Sequence, residues 1–478
     1  MRNMLLNVCF SWLTMTLVAT AQEAEVSFHR DVLPILRVNC FSCHKPTKTK
    51  GGVDLTTHGA LLKGGANGQI ISIGDAKKSR LVESICGDVP EMPKDAEPLS
   101  AQEIDLISRW ITQGAKSDEQ AEARTRRPET PPTYTSLPAI SALSFSPDGA
   151  FLAVPGRHEI LLHSLDSSGI VKRLLGDSPR LESVAFSRDG TMLVASGGSA
   201  SEFGEIQIWD LSKLELRRSI KASNDSFYGV SISPDNQFVA VGCADKLVRV
   251  FSLAEGQEVM RCDNHLDWVF GTAFTNDCKR LATVSRDKAA KLIEIASGHL
   301  IDDINQSRDP LVCLSRHPIH DQIATGGTDG KIRLFKMEPR GGRLAEGDNK
   351  ENSFVREYED MASPIQAISF SPDGSLLACS AESGEVRVFN TENGRRITQI
   401  LGKQFPLFAL AFTADGKQLA TGGYDGRIRF YDVEKGELRK EIDGVPYKTT
   451  FSYDTKHFLT LLADRHLEHA RSQAPAWE

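Results

Sequence analysis

The sequence predicts a multidomain chain, a small all-α domain followed by a large all-β propeller, on three observations. A Cys-x-x-Cys-His pentapeptide, Cys40 to His44, lies among helix-patterned segments. Residues 116–137 are charged and Pro-rich, as linkers are. Beyond them the chain repeats itself roughly every 40–45 residues, with short strands and tight turns, which is the pattern of propeller blades.

With 478 residues, 40% hydrophobic and 25% charged, the chain is long enough for two or three ordinary globular domains. Its net charge of −7 and lack of a basic stripe argue against nucleic acid as a partner. At the N-terminus, Arg2 precedes an apolar run, Leu5 to Val18, and then Ala19-Thr20-Ala21. That order predicts a secretory signal over residues 1–21, a mature start near Gln22 and a periplasmic or otherwise extracytoplasmic location. The run is short for a bilayer span, so no stable membrane span is expected once the signal is removed.

Helical spacing of Phe28, Val32, Ile35 and Leu36 places a helix just before the pentapeptide, with Pro34 in its first turn. Ser100 and Glu103 read as a capping box for a second helix striped by Ile104, Ile107 and Ile111, with Gly114 ending it. Between these helices, Cys40 and Cys43 have the spacing at which two thiols add to the vinyl groups of one haem, and His44 follows as ligand to the iron. A zinc site would need a second ligand pair, and none follows. A thioredoxin-like pair would need a strand before the motif rather than a helix. For the sixth iron position, Met92 stands in the extended stretch Val89-Pro90-Glu91-Met92-Pro93-Lys94. Met/His ligation suits electron transfer. His58 is the competing distal ligand, and His29 reads as a surface residue at a helix start. Gly64, Gly65 and Gly68 lack a following Gly-Lys-Ser/Thr and read as turns close to the haem, not as a phosphate loop.

Residues 26–115 resemble the planctomycete-type cytochrome c domain family. The resemblance rests on Asp31-Val32-Leu33-Pro34-Ile35-Leu36, Cys40-Phe41-Ser42-Cys43-His44, Gly51-Gly52-Val53-Asp54-Leu55, Leu61-Leu62-Lys63-Gly64-Gly65, Met92-Pro93 and Trp110-Ile111. It implies a class I-like fold over residues 22–115 and one covalent haem c, with His44 proximal and Met92 distal.

In residues 138–478 the repeat is clearest in Leu143-Ser144-Phe145-Ser146-Pro147-Asp148-Gly149, Val184-Ala185-Phe186-Ser187-Arg188-Asp189-Gly190 and Ile368-Ser369-Phe370-Ser371-Pro372-Asp373-Gly374. The steps from Asp235 to Asp277 and from Asp373 to Asp415 are both 42 residues. Asp329-Gly330 and Asp425-Gly426 are hairpin turns that lead into alternating strands. With Trp209-Asp210 and Tyr431-Asp432 ending strands, this half resembles the WD-repeat family. Eight first-strand marks, the last near Asp454, predict eight blades, with seven as the alternative. Thr133 to Leu137 would then supply the closing strand of the eighth blade. His265 stands where that family carries a structural histidine, and His317 and His320 read as exposed turn histidines. Cys86, Cys243, Cys262, Cys278, Cys313 and Cys379 read as small buried hydrophobes.

Together these readings predict an exported c-type cytochrome that carries one electron, with the propeller docking a redox partner or another protein. The alternatives are a haem-containing oxidoreductase with its active site on the propeller axis, and a haem-based sensor or scaffold. The regular propeller, without cofactor motifs, favours an electron-transfer protein over a catalyst.

Overall fold

A computed structural model of the chain describes residues 25–45, 48–94, 96–117, 127–165, 169–339, 353–402 and 404–447. The signal read over residues 1–21 and the repeat mark at Asp454 lie outside them. Among the described residues no helix is long and apolar enough to cross a membrane. The chain divides near residue 125 into two compact units.

The first unit is small and helical. A wide π-type turn, Phe28–Val32, runs into helix α1, Leu33–Asn39; helices α2, His58–Lys63, and α3, Arg80–Ile85, follow, and α4 spans Ala101–Thr112. The apolar spacing read from the sequence becomes one core. Phe28, Val32, Leu36, Leu61, Ile107, Trp110 and Ile111 are almost fully buried together. Both halves of the capping box form at α4, where the Ser100 hydroxyl accepts from the Glu103 amide and the Glu103 carboxylate accepts from the Ser100 amide at 2.8 Å. Gly114, at φ 101°, follows the C-cap Gln113, where a left-handed residue closes a helix without a Cβ penalty. Burial of the Trp110 ring does not strand its indole N–H, which donates to the Lys116 carbonyl at 2.9 Å.

Among the described residues the second unit is a ring of seven four-stranded antiparallel sheets. Blade 1 runs from Ser144–Phe145 to Ile170–Leu175, and blade 2 from Arg180–Phe186 to Glu215–Ser223. Blade 3 runs from Phe227–Ile232 to Glu258–Cys262, and blade 4 from Val269–Phe274 to Leu300–Gln306. Blade 5 runs from Leu311–Arg316 to Phe354–Glu357, blade 6 from Ile365–Phe370 to Arg396–Leu401, and blade 7 from Leu407–Phe412 to Leu438–Asp443. Successive first strands contact one another around the ring, so they are the inner strands.

The expectation of eight blades is corrected to seven, and the reason is packing. Each pair of neighbouring blades shares an apolar seam, and the last seam joins blade 7 directly to blade 1. There Ala409, Ala420, Ile428 and Phe430 pack against Ile140, Leu143, Leu152 and Val154. That contact leaves no gap for another sheet. Tyr134 does lie at the closure, but it forms a single parallel bridge to Tyr447 and not a strand of an eighth blade. Its hydroxyl donates to Glu159 at 2.6 Å, and Glu159 is fully buried between Tyr134 and Arg173. His163 adds a 3.0 Å bond from Nε2 to the Gly444 carbonyl.

The repeated Ser/Thr-x-Asp marks are turns with one chemistry. In six blades the hydroxyl of Ser146, Ser187, Ser233, Thr275, Ser371 or Thr413 donates to the Asp two residues on, at 2.5 to 2.6 Å. These hydroxyls, with backbone amides, hold Asp148, Asp189, Asp277, Asp373 and Asp415 below the usual carboxylate range. Blade 5 puts His317 in the hydroxyl's place. It is not the exposed turn histidine that the sequence implied: it is buried, its ring 5.0 Å from that of Phe370, and its Nδ1 accepts from the amides of Ile319 and His320 at 3.2 and 3.1 Å. Burial lowers its pKa. Of the cysteines expected to be buried, Cys243, Cys262 and Cys379 are buried free thiols, whereas Cys86, Cys278 and Cys313 are only partly buried.

Candidate functional site

The candidate site grows out of the end of α1. The Cys40 amide still donates to the Leu36 carbonyl at 2.8 Å, and the amides of Cys43 and His44 both fold back onto the Cys40 carbonyl at 3.1 and 3.0 Å. One tight turn therefore carries both thiols and the imidazole. The two thiols are partly buried and not joined in a disulfide. Burial pushes the Cys40 thiol up to about 11, so it is a neutral thiol at physiological pH.

His44 is oriented by the segment that follows. It opens a short hairpin, His44–Lys45 with Lys48–Thr49. The Lys50 amide then donates to the Cys43 carbonyl and the Leu55 amide to the His44 carbonyl, both at 3.1 Å. Its Nδ1 faces the Val53 carbonyl at 3.4 Å. A carbonyl only accepts, so this contact requires the proton on Nδ1 and leaves the Nε2 lone pair for a metal.

Met92 and the turn meet on one core. Cys40, Phe41 and Met92 all pack partly buried against the cluster built on Phe28, Leu36 and Trp110. The Met92 amide donates to the Ser84 carbonyl of α3 at 2.9 Å, which ties the loop down. His58 is placed differently. Its Nε2 donates to the Ala115 carbonyl at 2.7 Å, and its ring lies edge-on to Phe28 at 5.3 Å and near Trp110 at 6.0 Å. Its Nε2 is thus engaged with the backbone, and its ring packs partly buried against the core. His29 packs edge-on against Phe28 at 5.1 Å. Gly64, Gly65 and Gly68 pair with each other and with Gly51 and Gly52, through Ala66 donating to the Gly51 carbonyl at 2.8 Å.

The donor set fits a covalently attached haem: two free thiols in one turn, an imidazole with a coordinating nitrogen to spare, and a thioether on the same core. Among the described residues no group of three or more His, Cys, Asp or Glu is placed to hold a metal ion. A porphyrin iron asks the protein for only one or two ligands.

In the propeller, several structural features were not anticipated from the sequence. The hairpin aspartates Asp245, Asp329 and Asp425 each pair with an Arg four residues on, namely Arg249, Arg333 and Arg429. The recurring Asp-x-x-x-Arg spacing is the signal that would have found them. In blade 4 His265, which the sequence did mark as a structural histidine, takes this role, with Nδ1 2.8 Å from Asp287 and Nε2 2.8 Å from Thr283. Beside it lies an aromatic patch on the adjoining inner strands. The Tyr228, Trp268 and Phe270 rings are 5.2 to 6.3 Å apart, Arg286 stacks 4.2 Å over Trp268, and Leu266 is 79% exposed.

The architecture defines the class: a small helical domain joined to a seven-bladed WD-repeat propeller. Residues 40–96 match the family model described as Planctomycete cytochrome C. Residues 214–252 and 394–432 match WD domain, G-beta repeat, and residues 317–405 match the anaphase-promoting complex subunit 4 WD40 domain. An uncharacterised WD repeat-containing protein of Schizosaccharomyces pombe is 24% identical over 48% of this chain and 35% of its own length. A WD repeat-containing protein of Synechocystis is 27% identical over 36% of this chain and 49% of its own. WD repeat-containing protein 55 of Bos taurus is 26% identical over 35% and 42% respectively. The chain thus spans less than half the length of each of these relatives. The likeness to WD-repeat proteins suggests a protein-interaction platform.

Proposed function

We propose that the protein is an exported one-electron carrier, in which residues 22–115 hold one haem c and residues 138–478 dock a redox partner or another protein. The observation that carries this reading is the turn at the end of α1, with two unbonded thiols and His44 presenting its free nitrogen from a Nδ1–carbonyl contact. Cys40 and Cys43 form the thioether links and His44 is the proximal ligand. Met92 is the distal ligand, because its loop packs on the same core while His58 is already bound to the Ala115 carbonyl. Haem held there supplies a reversible Fe(III)/Fe(II) couple. The core around Phe28 and Trp110 keeps water from the ligand side, and thioether ligation raises the potential into a range suited to electron transfer. Val38 and Val89, 82% and 90% exposed beside the two ligand loops, give a partner an apolar contact. Residues 1–21 direct export, which places the chain where haem c is attached.

The test is spectroelectrochemical titration of the full chain made in a host that matures c-type cytochromes. A single reversible one-electron wave with a low-spin spectrum supports the reading. Two waves, or a second chromophore, would replace it with an oxidoreductase whose active site lies elsewhere.

A further inference from the structure

We infer that Gly65 is a positioning residue for His44, acting through the Val53 carbonyl. The inference rests on the haem reading above and concerns the residues that aim its proximal ligand. Gly65 has an ordinary φ, so its backbone does not demand glycine; its surroundings do. A Cβ built on Gly65 would stand 2.5 Å from Cγ2 of Val53 and 2.6 Å from the Gly51 carbonyl oxygen. From the other side, a Cβ on Gly52 would stand 2.8 Å from the Ala66 amide nitrogen. Two glycine turns therefore lie backbone against backbone, joined by the 2.8 Å bond from Ala66 to the Gly51 carbonyl.

The segment held by this clasp, 50–55, binds the backbone carbonyls of both Cys43 and His44 and faces the imidazole. It carries the amides of Lys50 and Leu55 and the Val53 carbonyl that faces Nδ1 at 3.4 Å. Any side chain at position 65 pushes Val53 and Gly51 outward, and the carbonyl moves with them. An imidazole that loses its acceptor is less basic and favours the oxidised iron less, so the potential rises.

The test uses the full chain. Gly65→Ala is compared with Gly59→Ala, whose added Cβ meets nothing within 4 Å. In haem-loaded protein, Gly65→Ala raises the midpoint potential and Gly59→Ala does not. In the haem-free Cys40→Ala/Cys43→Ala background, hydrogen–deuterium exchange over residues 48–56 becomes about tenfold faster with Gly65→Ala. Adding Val53→Ala, which removes one of the two clashes, moves the potential back toward wild type. A haem-bearing Gly65→Ala chain with unchanged potential overturns this inference alone. If loading fails in that variant, wild-type exchange over residues 48–56 in the haem-free background overturns it equally. A wild-type chain that takes no covalent haem overturns the reading on which it stands.

Discussion

Asp287→Asn tests how the propeller holds the loop that carries Leu266 and Trp268. Asp287 Oδ2 takes a bond from His265 Nδ1 and another from the Leu266 amide, both at 2.8 Å, and Oδ1 takes one from the Ala289 amide at 3.1 Å. The two side chains are 0% and 5% exposed for His265 and Asp287. Burial alone would raise the carboxyl's pKa. The hydrogen bond and charge of His265, with the two amides, outweigh it and bring it from 3.8 to about 2. That shift is worth about 2 kcal/mol of folding stability. Because the folded value is the depressed one, this stabilisation is fully present above about pH 4 and is lost as pH falls through about 2, with roughly half gone by pH 3. Asp287→Asn should therefore lose about 2 kcal/mol at pH 6, and its deficit against wild type should roughly halve at pH 3. Urea unfolding of the full chain at both pH values, followed by circular dichroism and tryptophan emission, measures it. Equal midpoints at pH 6, or a deficit identical at pH 6 and pH 3, would refute the reasoning. The same substitution weakens the hold on the Leu266 amide, while Arg286 stays paired with Asp267 at 2.9 and 3.0 Å.

Tyr134→Phe removes the donor to buried Glu159 at the ring closure and should cost about 1–2 kcal/mol, read by urea unfolding; an unchanged midpoint would mean the closure does not depend on that bond. Met92→Ala should lower the potential and let the reduced protein bind CO, seen in its absorption spectrum, whereas wild type should not. His58→Phe should weaken the fold of the first domain yet leave the haem spectrum as it is; if His58→Phe and not Met92→Ala opens the iron, the distal assignment moves to His58.

The helical domain was legible because its signals are local. The spacing of Phe28, Val32, Ile35 and Leu36, the Ser100–Glu103 box and Gly114 act within a turn or two of chain, and each appears where the sequence placed it. The blades were legible for the same reason, since each Ser/Thr-x-Asp mark is a self-contained turn. The number of blades was not, because it depends on the seam between Ile140 and Ile428, residues at opposite ends of the repeat, and a count of marks carries no information about where the ring closes. His317 looked like an exposed turn residue because its burial comes from Phe370 and Gly374 of the next blade. The contact that engages His58 could not be read from the sequence for a like reason: the Ala115 carbonyl lies 57 residues away. Gly65 could be seen as a turn, but its partner surface, Gly51 to Val53, is set only by tertiary packing.

The central claim is that Cys40 and Cys43 bond one haem. Intact-mass spectrometry and a haem-stained denaturing gel of the full chain, expressed with cytochrome c maturation factors, test it most directly. One haem per wild-type chain that survives denaturation, and none on Cys40→Ala/Cys43→Ala, is the predicted result. A colourless wild-type chain of unmodified mass would contradict it.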